Sequence, residues 1–373
     1  MPSRVHIVGG GVIGLACAWE SSRNGHEVTV VAPAPGRDGA SWVAAGMLAP
    51  VTEAQFGESA LTALLLEGAR QWPGFAAALE DASGGPIGYD TAGTVTVALD
   101  ASDRASLDDL LAYQHSLGLV AHRRSASECR ALVPALSPTL RGGIEVPGDH
   151  QVDNRALLAA LVVACRKAGV AFVEGAVSAV EAGPGLVLTD GRRLRPEHVV
   201  LAAGTGLSAI TGLEGAGLPE VRPVKGHILR LRPPPGRPAG AAPLLERTVR
   251  GLVRGHSVYV VPRRDGSVVV GATVEERGDG TTVLAGAVHE LLCDARALVP
   301  GLDELELVEA AAGLRPATPD NAPRIGWIGA DGVIVAAGHF RNGILLAPLT
   351  AAAVADLLDR RPVTPLIEAL APA

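Results

Sequence analysis

The sequence predicts a mixed architecture, α/β plus α+β, in which two domains are each discontinuous along the chain. At 373 residues the chain exceeds the length at which one hydrophobic core usually keeps growing, so we expect two domains. Stretches in which strands and helices alternate occur at both ends and in the middle, and β-rich stretches separate them. One domain is therefore expected to span residues 1–82, 145–218 and 311–373, and the other 83–144 and 219–310.

The first strand, over residues 5–8, leads directly into the motif Gly-x-Gly-x-x-Gly. Gly9 permits a tight turn, Gly11 lets the backbone approach a pyrophosphate, and Gly14 lets the following helix pack on the strand. A glycine-rich turn without a ligand is the alternative, since the motif alone is weakly specific. The helix that follows and a second strand over 27–31 favour a dinucleotide-binding βαβ unit.

One position departs from the pattern of such units. An acidic side chain is expected at the end of the second strand, where it accepts hydrogen bonds from the ribose hydroxyls. Here the strand is followed by Ala32, and the next acid is Asp38, beyond two prolines. Arg37 is compatible with a 2′-phosphate or with an ordinary solvated surface position. We therefore expect a weakened ribose contact.

Periodicity, caps and turn residues predict the remaining elements. A buried parallel strand is indicated by the fully apolar run over 199–203. Helices are predicted over 15–24, 60–79 (interrupted at Pro73), 106–117, 153–168, 282–298 and 345–360. The other strands are predicted over 94–99, 170–180, 186–188, 228–231, 257–262, 267–273 and 333–337.

Charge and cysteine usage exclude several functions. The net charge is −7 with no basic run, which argues against nucleic-acid binding. The four cysteines are far apart, so neither a disulfide framework nor a metal site is expected, and a cytoplasmic location is the default. The longest apolar run, over 343–355, is shorter than the ~20 residues that span a bilayer, and no signal peptide is evident. We expect no membrane association.

Four further segments share a distinctive order and spacing. They are GASWVAAGMLAP at 39–50, YVVPR with GAT at 259–263 and 271–273, GLRPATPD at 313–320, and GHFRNGILLAP at 338–348. Together they resemble the glycine oxidases of thiamine biosynthesis, in the FAD-dependent D-amino-acid oxidase superfamily. The resemblance covers essentially the whole chain, and the last two segments are far more specific than the glycine motif.

The resemblance implies FAD as cofactor, a Rossmann-like FAD-binding domain and a discontinuous, β-rich substrate-binding domain. Hydride transfer to flavin N5 leaves negative charge near N1–C2=O, which the N–H groups of the 338–343 turn and the helix dipole would stabilise. An ordinary strand-to-helix turn is the alternative. The implied cofactor-binding residues are Gly9, Gly11, Val12, Ile13, Gly14, Ala40, Ser41, Ala45, Gly46, Met47, Val177, His339, Phe340, Arg341, Asn342, Gly343, Ile344 and Leu345.

The resemblance also implies the residues that bind the substrate. Arg315, expected in a turn, falls where the family binds the substrate carboxylate, and arginine pairs bidentately with that group. Tyr259 falls where the family adds a hydroxyl to the same carboxylate, although a tyrosine on a strand usually packs in a core. Arg341 matches a position on the substrate side of the family's site. Its side chain pairs either with the substrate carboxylate or with a neighbouring acid of the protein.

No general base is evident from the sequence. His339 and His256 are the nearest candidates, but histidines in such motifs usually hydrogen-bond to structural groups, so removing either is expected to lower the rate only modestly. Catalysis then rests on orientation and electrostatics. The presence of Val274 alone does not determine the volume of the substrate pocket. A difference of one methylene between two substrates changes their relative binding by only ~1–3 kcal/mol.

The expected function is oxidation of glycine, and of sarcosine or small D-amino acids, to the imine and glyoxylate. Oxygen would become hydrogen peroxide, and the product would feed thiamine thiazole synthesis. The expected partners are thus a small amino-acid substrate and oxygen, and a homo-oligomer is allowed. Two alternatives remain: a quinone-linked small D-amino-acid dehydrogenase, and a catalytically weak FAD-binding homologue.

Overall fold

The computed structural model describes residues 2–181, 183–236, 242–276, 278, 280–329 and 332–372. Its helices in these ranges, in chain order, are α1 (Val12–Arg23), α2 (Gly39–Val43), α3 (Ser59–Ser83), α4 (Ala101–Ser116), α5 (Ala126–Leu132), α6 (Asn154–Lys167), α7 (Ala285–Leu298), α8 (Gly343–Leu358) and α9 (Pro365–Glu368). Short 3₁₀ segments run over Gly204–Ala209 and Pro300–Glu304. No helix within the described ranges is long and apolar enough to cross a membrane.

The strands belong to four sheets. In chain order they are β1 (Arg4–Val8), β2 (Glu27–Ala32), β3 (Met47–Leu48), β4 (Thr94–Ala98), β5 (His122–Arg124), β6 (Gly143–Val146), β7 (His150–Gln151), β8 (Ala171–Glu174), β9 (Val177–Glu181), β10 (Gly185–Leu188), β11 (Arg193–Leu194), β12 (His198–Leu201), β13 (Arg222–Arg232), β14 (Thr248–Val253), β15 (His256–Pro262), β16 (Val268–Gly271), β17 (Glu306–Ala317), β18 (Arg324–Trp327) and β19 (Val333–Ala337).

A six-stranded sheet carries the glycine motif. Its strand order is β18-β19-β12-β1-β2-β8, and every pair is parallel except β18 with β19. β1, β2, β12 and β19 are almost entirely buried, as the apolar sequences of these strands predict. Helices α1, α3, α6 and α8 pack with this sheet in one core. The chain places the glycine motif at the carboxyl edge of β1, in the middle of the sheet.

An eight-stranded sheet makes up the β-rich part. Its order is β17-β13-β16-β15-β14-β4-β6-β5, antiparallel except for β14 with β4. Helices α5 and α7 pack against it around a second core. The predicted fold class, α/β combined with α+β, is confirmed. The predicted domain boundaries at 144/145 and 310/311 fall inside β6 and β17, and the division into domains stays a prediction.

Three local predictions are wrong. The single strand predicted over 170–180 is two strands, β8 and β9, which belong to different sheets. Pro73 does not interrupt the helix, because α3 continues through it and buries Leu65, Trp72 and Ala76 on one face, which holds the helix together across the missing N–H. Arg315 does not lie in a turn. It lies near the end of β17, and Val224 of β13 is its partner in the ladder. The strand register therefore determines which face of the sheet its side chain reaches.

Candidate active site

A cavity of about 500 Å³ lies between the glycine motif, the 38–47 segment, the eight-stranded sheet and the start of α8. Arg315 and Tyr259 line it. The predicted cofactor-binding residues that line it are Gly9, Gly11, Val12, Ile13, Ala40, Ser41, Ala45, Gly46, Met47, Val177, His339, Phe340, Arg341, Asn342, Gly343 and Ile344. The fold brings these residues, which are distant in the sequence, around one cavity. Their contacts with a cofactor stay predictions.

Two of the predicted cofactor-binding residues do not line the cavity. Gly14 packs so closely against the glycine turn that a Cβ there would overlap the Gly9 carbonyl oxygen. Leu345 is buried in the core, where its carbonyl accepts a 2.9 Å hydrogen bond from Trp72 Nε1. Both residues therefore support the walls of the cavity and do not face it.

The glycine turn shows why small residues are needed there. Gly9 has φ +119°, and a Cβ would overlap the carbonyl of Ala202 at the end of the neighbouring strand. Gly11 stands at the N-cap of α1, and the only described atom within 4 Å of a Cβ there is Ser41 Oγ, at 3.1 Å. Ser41 Oγ accepts a 3.0 Å hydrogen bond from the Val12 N–H. The turn thus leaves open space in front of the helix N-terminus.

The turn over 338–343 is confirmed as a strand-to-helix connection. β19 ends at Ala337 and α8 begins at Gly343, with Asn342 at the N-cap. Phe340 has φ +48°, and its N–H donates a 2.8 Å hydrogen bond to Pro316 O of β17. This bond ties the turn to the strand that carries Arg315. The first residues of α8 face the cavity, so the positive end of its dipole acts there.

His339 is buried beside this turn, and its Nε2 lies 2.9 Å from Thr350 Oγ1 of α8. Burial lowers the pKa of His339 to about 3. An imidazole that stays neutral and bonds to a helix hydroxyl fastens the turn to α8. His256, the other predicted candidate base, lies on the surface outside the cavity, with Nδ1 3.5 Å from Asp294 Oδ2.

The buried imidazole predicts acid-sensitive stability. Because the folded pKa of His339 (about 3) lies below the ~6.5 of an unfolded chain, the unfolded state binds more protons between these values. The free energy of unfolding is therefore expected to fall by up to ~1.4 kcal/mol per pH unit below pH 6.5. Denaturant unfolding of wild type and His339→Gln between pH 7 and 4.5 measures this, and parallel pH profiles would contradict it.

Arg315 presents an unpaired positive charge to the cavity. Its Nη1 donates only to carbonyls, at 3.2 Å to Thr273 O and 3.4 Å to Lys225 O, and no carboxylate of the described chain pairs with it. Burial lowers the pKa of Arg315, and the neighbouring Tyr259 opposes that shift. Burial also raises the pKa of the Tyr259 hydroxyl, which keeps it protonated. A guanidinium and a hydroxyl donor thus stand side by side, which suits a carboxylate.

Glycines on neighbouring strands make room for this pair. A Cβ on Gly226 would overlap the Arg315 guanidinium, and a Cβ on Gly271 would overlap the Tyr259 hydroxyl. Gly226 lies on β13 and Gly271 ends β16, next to Tyr259 on β15 in the ladder. The sheet therefore accommodates two large polar side chains on one face without moving the backbone.

Two charged residues that the sequence did not predict lie beside Arg315, Tyr259 and Arg341 in the cavity wall. We call these five residues the charged wall. Glu53 and Arg250 both line the cavity, and their side chains form a 2.6 Å ion pair. Glu53 also pairs with Arg341 at 3.2 Å, whereas binding of a substrate carboxylate by Arg341 stays a prediction. Burial opposes the ionisation of Glu53, but the charges of Arg250 and Arg341 outweigh it and lower the pKa of Glu53. This carboxylate stays ionised beside the cavity.

The Asp149 carboxylate stabilises the loop that carries Glu53. The Val51 and Thr52 N–H groups each donate to this carboxylate at 2.9 Å. Burial raises the pKa of Asp149 to about 6 in spite of these donors. No motif marks this loop in the sequence, and Arg250 lies on β14, a strand that the pattern did not predict. The sequence therefore offered no signal for either residue.

The chain matches the family described as FAD dependent oxidoreductase over residues 4–357. It belongs to that family. The cofactor of the family is FAD, and the observed site fits it: the backbone at Gly11 is open to a pyrophosphate, and a second helix N-terminus closes the other side of the same cavity. The residues of this oxidoreductase that would hold FAD are those of the glycine turn, the 40–47 segment and the 338–344 turn.

Relatives and solved structures agree with the family. The oxidoreductase is 34% identical over 362 residues to the glycine oxidase of Geobacillus kaustophilus, covering 96% of this chain and 93% of that protein. A crystal structure of glycine oxidase from the same organism superimposes with a TM-score of 0.90 at 32% identity, covering 100% of this chain and 98% of that one. Iminodiacetate oxidase from Chelativorans superimposes with a TM-score of 0.85 at 27% identity, covering 99% of each chain.

Another relative is much longer than this chain. The bifunctional protein ThiO/ThiG of Nostoc sp. is 34% identical over 375 residues, which is 98% of this chain but 54% of that protein. The chain thus spans about half the length of the ThiO/ThiG relatives that it matches.

Proposed function

We propose that this oxidoreductase oxidises glycine to its imine, which water hydrolyses to glyoxylate and ammonia, and oxidises sarcosine or small D-amino acids to the corresponding imines, with reduction of oxygen to hydrogen peroxide. The observation that carries the proposal is the Arg315 guanidinium, which faces the cavity with Tyr259 beside it and no carboxylate partner in the described chain. The naming of relatives as glycine oxidases supports the choice of substrate.

The charged wall determines how a small amino acid would be held. Arg315 and the Tyr259 hydroxyl donate to the two carboxylate oxygens, an arrangement that fixes both position and rotation of the substrate. The ionised Glu53 stays on the same side and is shared by Arg250 and Arg341, so Arg315 is the one arginine of the described wall that has no carboxylate partner. A substrate with a single carboxylate matches the charge of that arginine.

FAD, when bound, supplies the acceptor for the hydride of the substrate α-carbon. The protein contributes electrostatics: the N–H groups at the start of α8 and the helix dipole stabilise negative charge in front of them. His339 does not act as a base, because burial lowers its pKa to about 3 and its Nε2 is engaged with Thr350. The residues of the site then orient a neutral amine and need accept no proton.

The absorption spectrum of the purified protein, before and after glycine is added without oxygen, tests the proposal. We expect flavin bands that bleach on glycine and return with air, together with hydrogen peroxide. Bands that persist with glycine would refute the substrate. Bleaching without peroxide formation under air would favour the quinone-linked dehydrogenase, and a protein without flavin would favour the weak homologue.

The cellular role follows from the proposed reaction. The imine of glycine would feed the assembly of the thiamine thiazole; a Rhizobium etli relative, 31% identical over 362 residues, is named a putative thiamine biosynthesis oxidoreductase, ThiO. A cytoplasmic location and a homo-oligomer stay predictions. Gel filtration with light scattering measures the second of them.

A further inference from the structure

The cavity wall at the end of β2 lacks the polar side chain that this position usually carries. β2 ends at Ala32, which is 3% exposed, and Pro33 follows without an N–H group. Both residues line the cavity. In a βαβ nucleotide-binding unit the adenosine ribose lies against this position, and an acid there accepts hydrogen bonds from its hydroxyls. Neither Ala32 nor Pro33 can do so through its side chain.

The loop after β2 folds back onto the glycine turn at two points. The Gly36 N–H donates a 2.8 Å hydrogen bond to Gly10 O, and Ser41 Oγ accepts a 3.0 Å hydrogen bond from the Val12 N–H. Asp38 lies between these two anchors and lines the cavity. Its loop is thus fixed against the turn that faces the pyrophosphate, on the side where the ribose is expected.

The Asp38 carboxylate is available for a ligand. Asp38 stands at the N-cap of α2, but its side chain makes no capping hydrogen bond, and in the described ranges its polar contact is with its own backbone. Burial raises the pKa of Asp38. The other carboxylate of the described lining, Glu53, is already held by Arg250 and Arg341. Asp38 is exposed on the cavity lining, and hydrogen bonds from hydroxyl groups to an ionised carboxylate are stronger than those between neutral groups.

We propose that Asp38 takes the place of the missing acid and accepts hydrogen bonds from the adenosine ribose hydroxyls of FAD. The inference rests on FAD as the cofactor of this cavity and does not depend on which amine is oxidised. Under this proposal the ribose contact is not weakened, because the acceptor comes from six residues farther along the chain. Asp38 is then a positioning residue for the cofactor and takes no part in the chemistry.

Dilution of the holoenzyme, with released flavin followed by its fluorescence, gives the Kd for FAD. A hydrogen bond to a charged group implies that Asp38→Asn raises this Kd by about 10- to 100-fold. Asp81→Asn, which removes an equal charge from an exposed position at the end of α3, is expected to leave it unchanged. An Asp38→Asn protein with the wild-type Kd, or a lower one, would overturn the proposal.

Two further measurements separate ribose binding from loop structure. An FAD analogue without both hydroxyls on the adenosine ribose is expected to bind wild type more weakly than FAD, and to bind Asp38→Asn as well as FAD does. Equal losses for FAD and the analogue in Asp38→Asn would overturn the proposal in favour of a structural role. Ala32→Asp is expected to restore the Kd of Asp38→Asn but to change wild type little; equal tightening in both would contradict it. Wild type that binds no flavin refutes the cofactor itself, before any variant is compared.

Discussion

Replacing Arg315 with alanine is expected to lower kcat/KM for glycine by about 30-fold to several thousand-fold while FAD stays bound. The range corresponds to the ~2–5 kcal/mol that the loss of one partner from a buried, hydrogen-bonded charge pair costs. The loss should be this large because no other described cation of the cavity wall lacks a carboxylate partner: Arg250 and Arg341 are both paired with Glu53. Steady-state kinetics and the flavin spectrum measure the two halves of the prediction.

Two substitutions sharpen the test of the carboxylate role. Arg315→Lys keeps the charge but loses the bidentate geometry, so its kcat/KM should fall between those of wild type and alanine. Arg232→Ala is the matched control: Arg232 lies on the adjacent strand, where it pairs at 2.9 Å with Glu306 at the far end of β17, outside the cavity. Its kinetics should be those of wild type. Unchanged kinetics in Arg315→Ala would refute carboxylate binding by this residue.

Replacing Gly11 with valine is expected to give a folded protein that purifies without flavin. A Cβ at Gly11 meets only Ser41 Oγ, at 3.1 Å, a close contact that a shift of this hydroxyl by a few tenths of an ångström relieves. The valine methyl groups, however, fill the space in front of the α1 N-terminus and keep a pyrophosphate away from the backbone N–H groups. Two such hydrogen bonds, at about 1.5–3 kcal/mol each, correspond to binding weaker by ~10²- to 10⁴-fold.

The measurement is the ratio of flavin to protein absorbance, together with circular dichroism to show that the variant is folded. Gly74→Ala serves as control, because a Cβ at this position of α3 meets no atom within 4 Å and the cavity is elsewhere. That variant should retain its flavin. A yellow Gly11→Val protein with the wild-type ratio would show that the pyrophosphate does not approach this turn.

The sequence was sufficient for the α/β part of the fold because its signals are local. The glycine motif, the apolar strand predicted over 199–203 and the helix predicted over 153–168 each depend on neighbours in the chain. The strand is present as β12, and the helix is present as α6, where Asp153 accepts from the Arg155 and Ala156 N–H groups. Where a local signal and the burial of an apolar face favour different structures, the structure follows the burial. Helix α3, for example, continues through Pro73. Local propensity is a weak prior against such packing.

The charged wall of the site was only half predictable. Arg315 and Tyr259 were predicted from motifs, whereas Glu53 and Arg250 come together from a loop and a strand that no motif marks. Arg250 lies on β14, whose parallel pairing with β4 is a long-range arrangement that no local pattern encodes. The placement of Arg315 was wrong for the same reason: the glycine and proline beside it indicate a turn, but pairing with β13 keeps it in a strand.

The order of strands in the six-stranded sheet has a consequence for biosynthesis. β1, which carries the glycine turn, is synthesised long before β12, its direct neighbour, and β19, the strand next to β12. The Gly9 turn packs against the backbone at Ala202, so this contact is missing until that segment has been synthesised. Such non-local pairing slows folding and leaves unpaired edges exposed meanwhile. Nascent chains should therefore capture the flavin late, and a shortage of flavin would leave them exposed to aggregation and proteolysis.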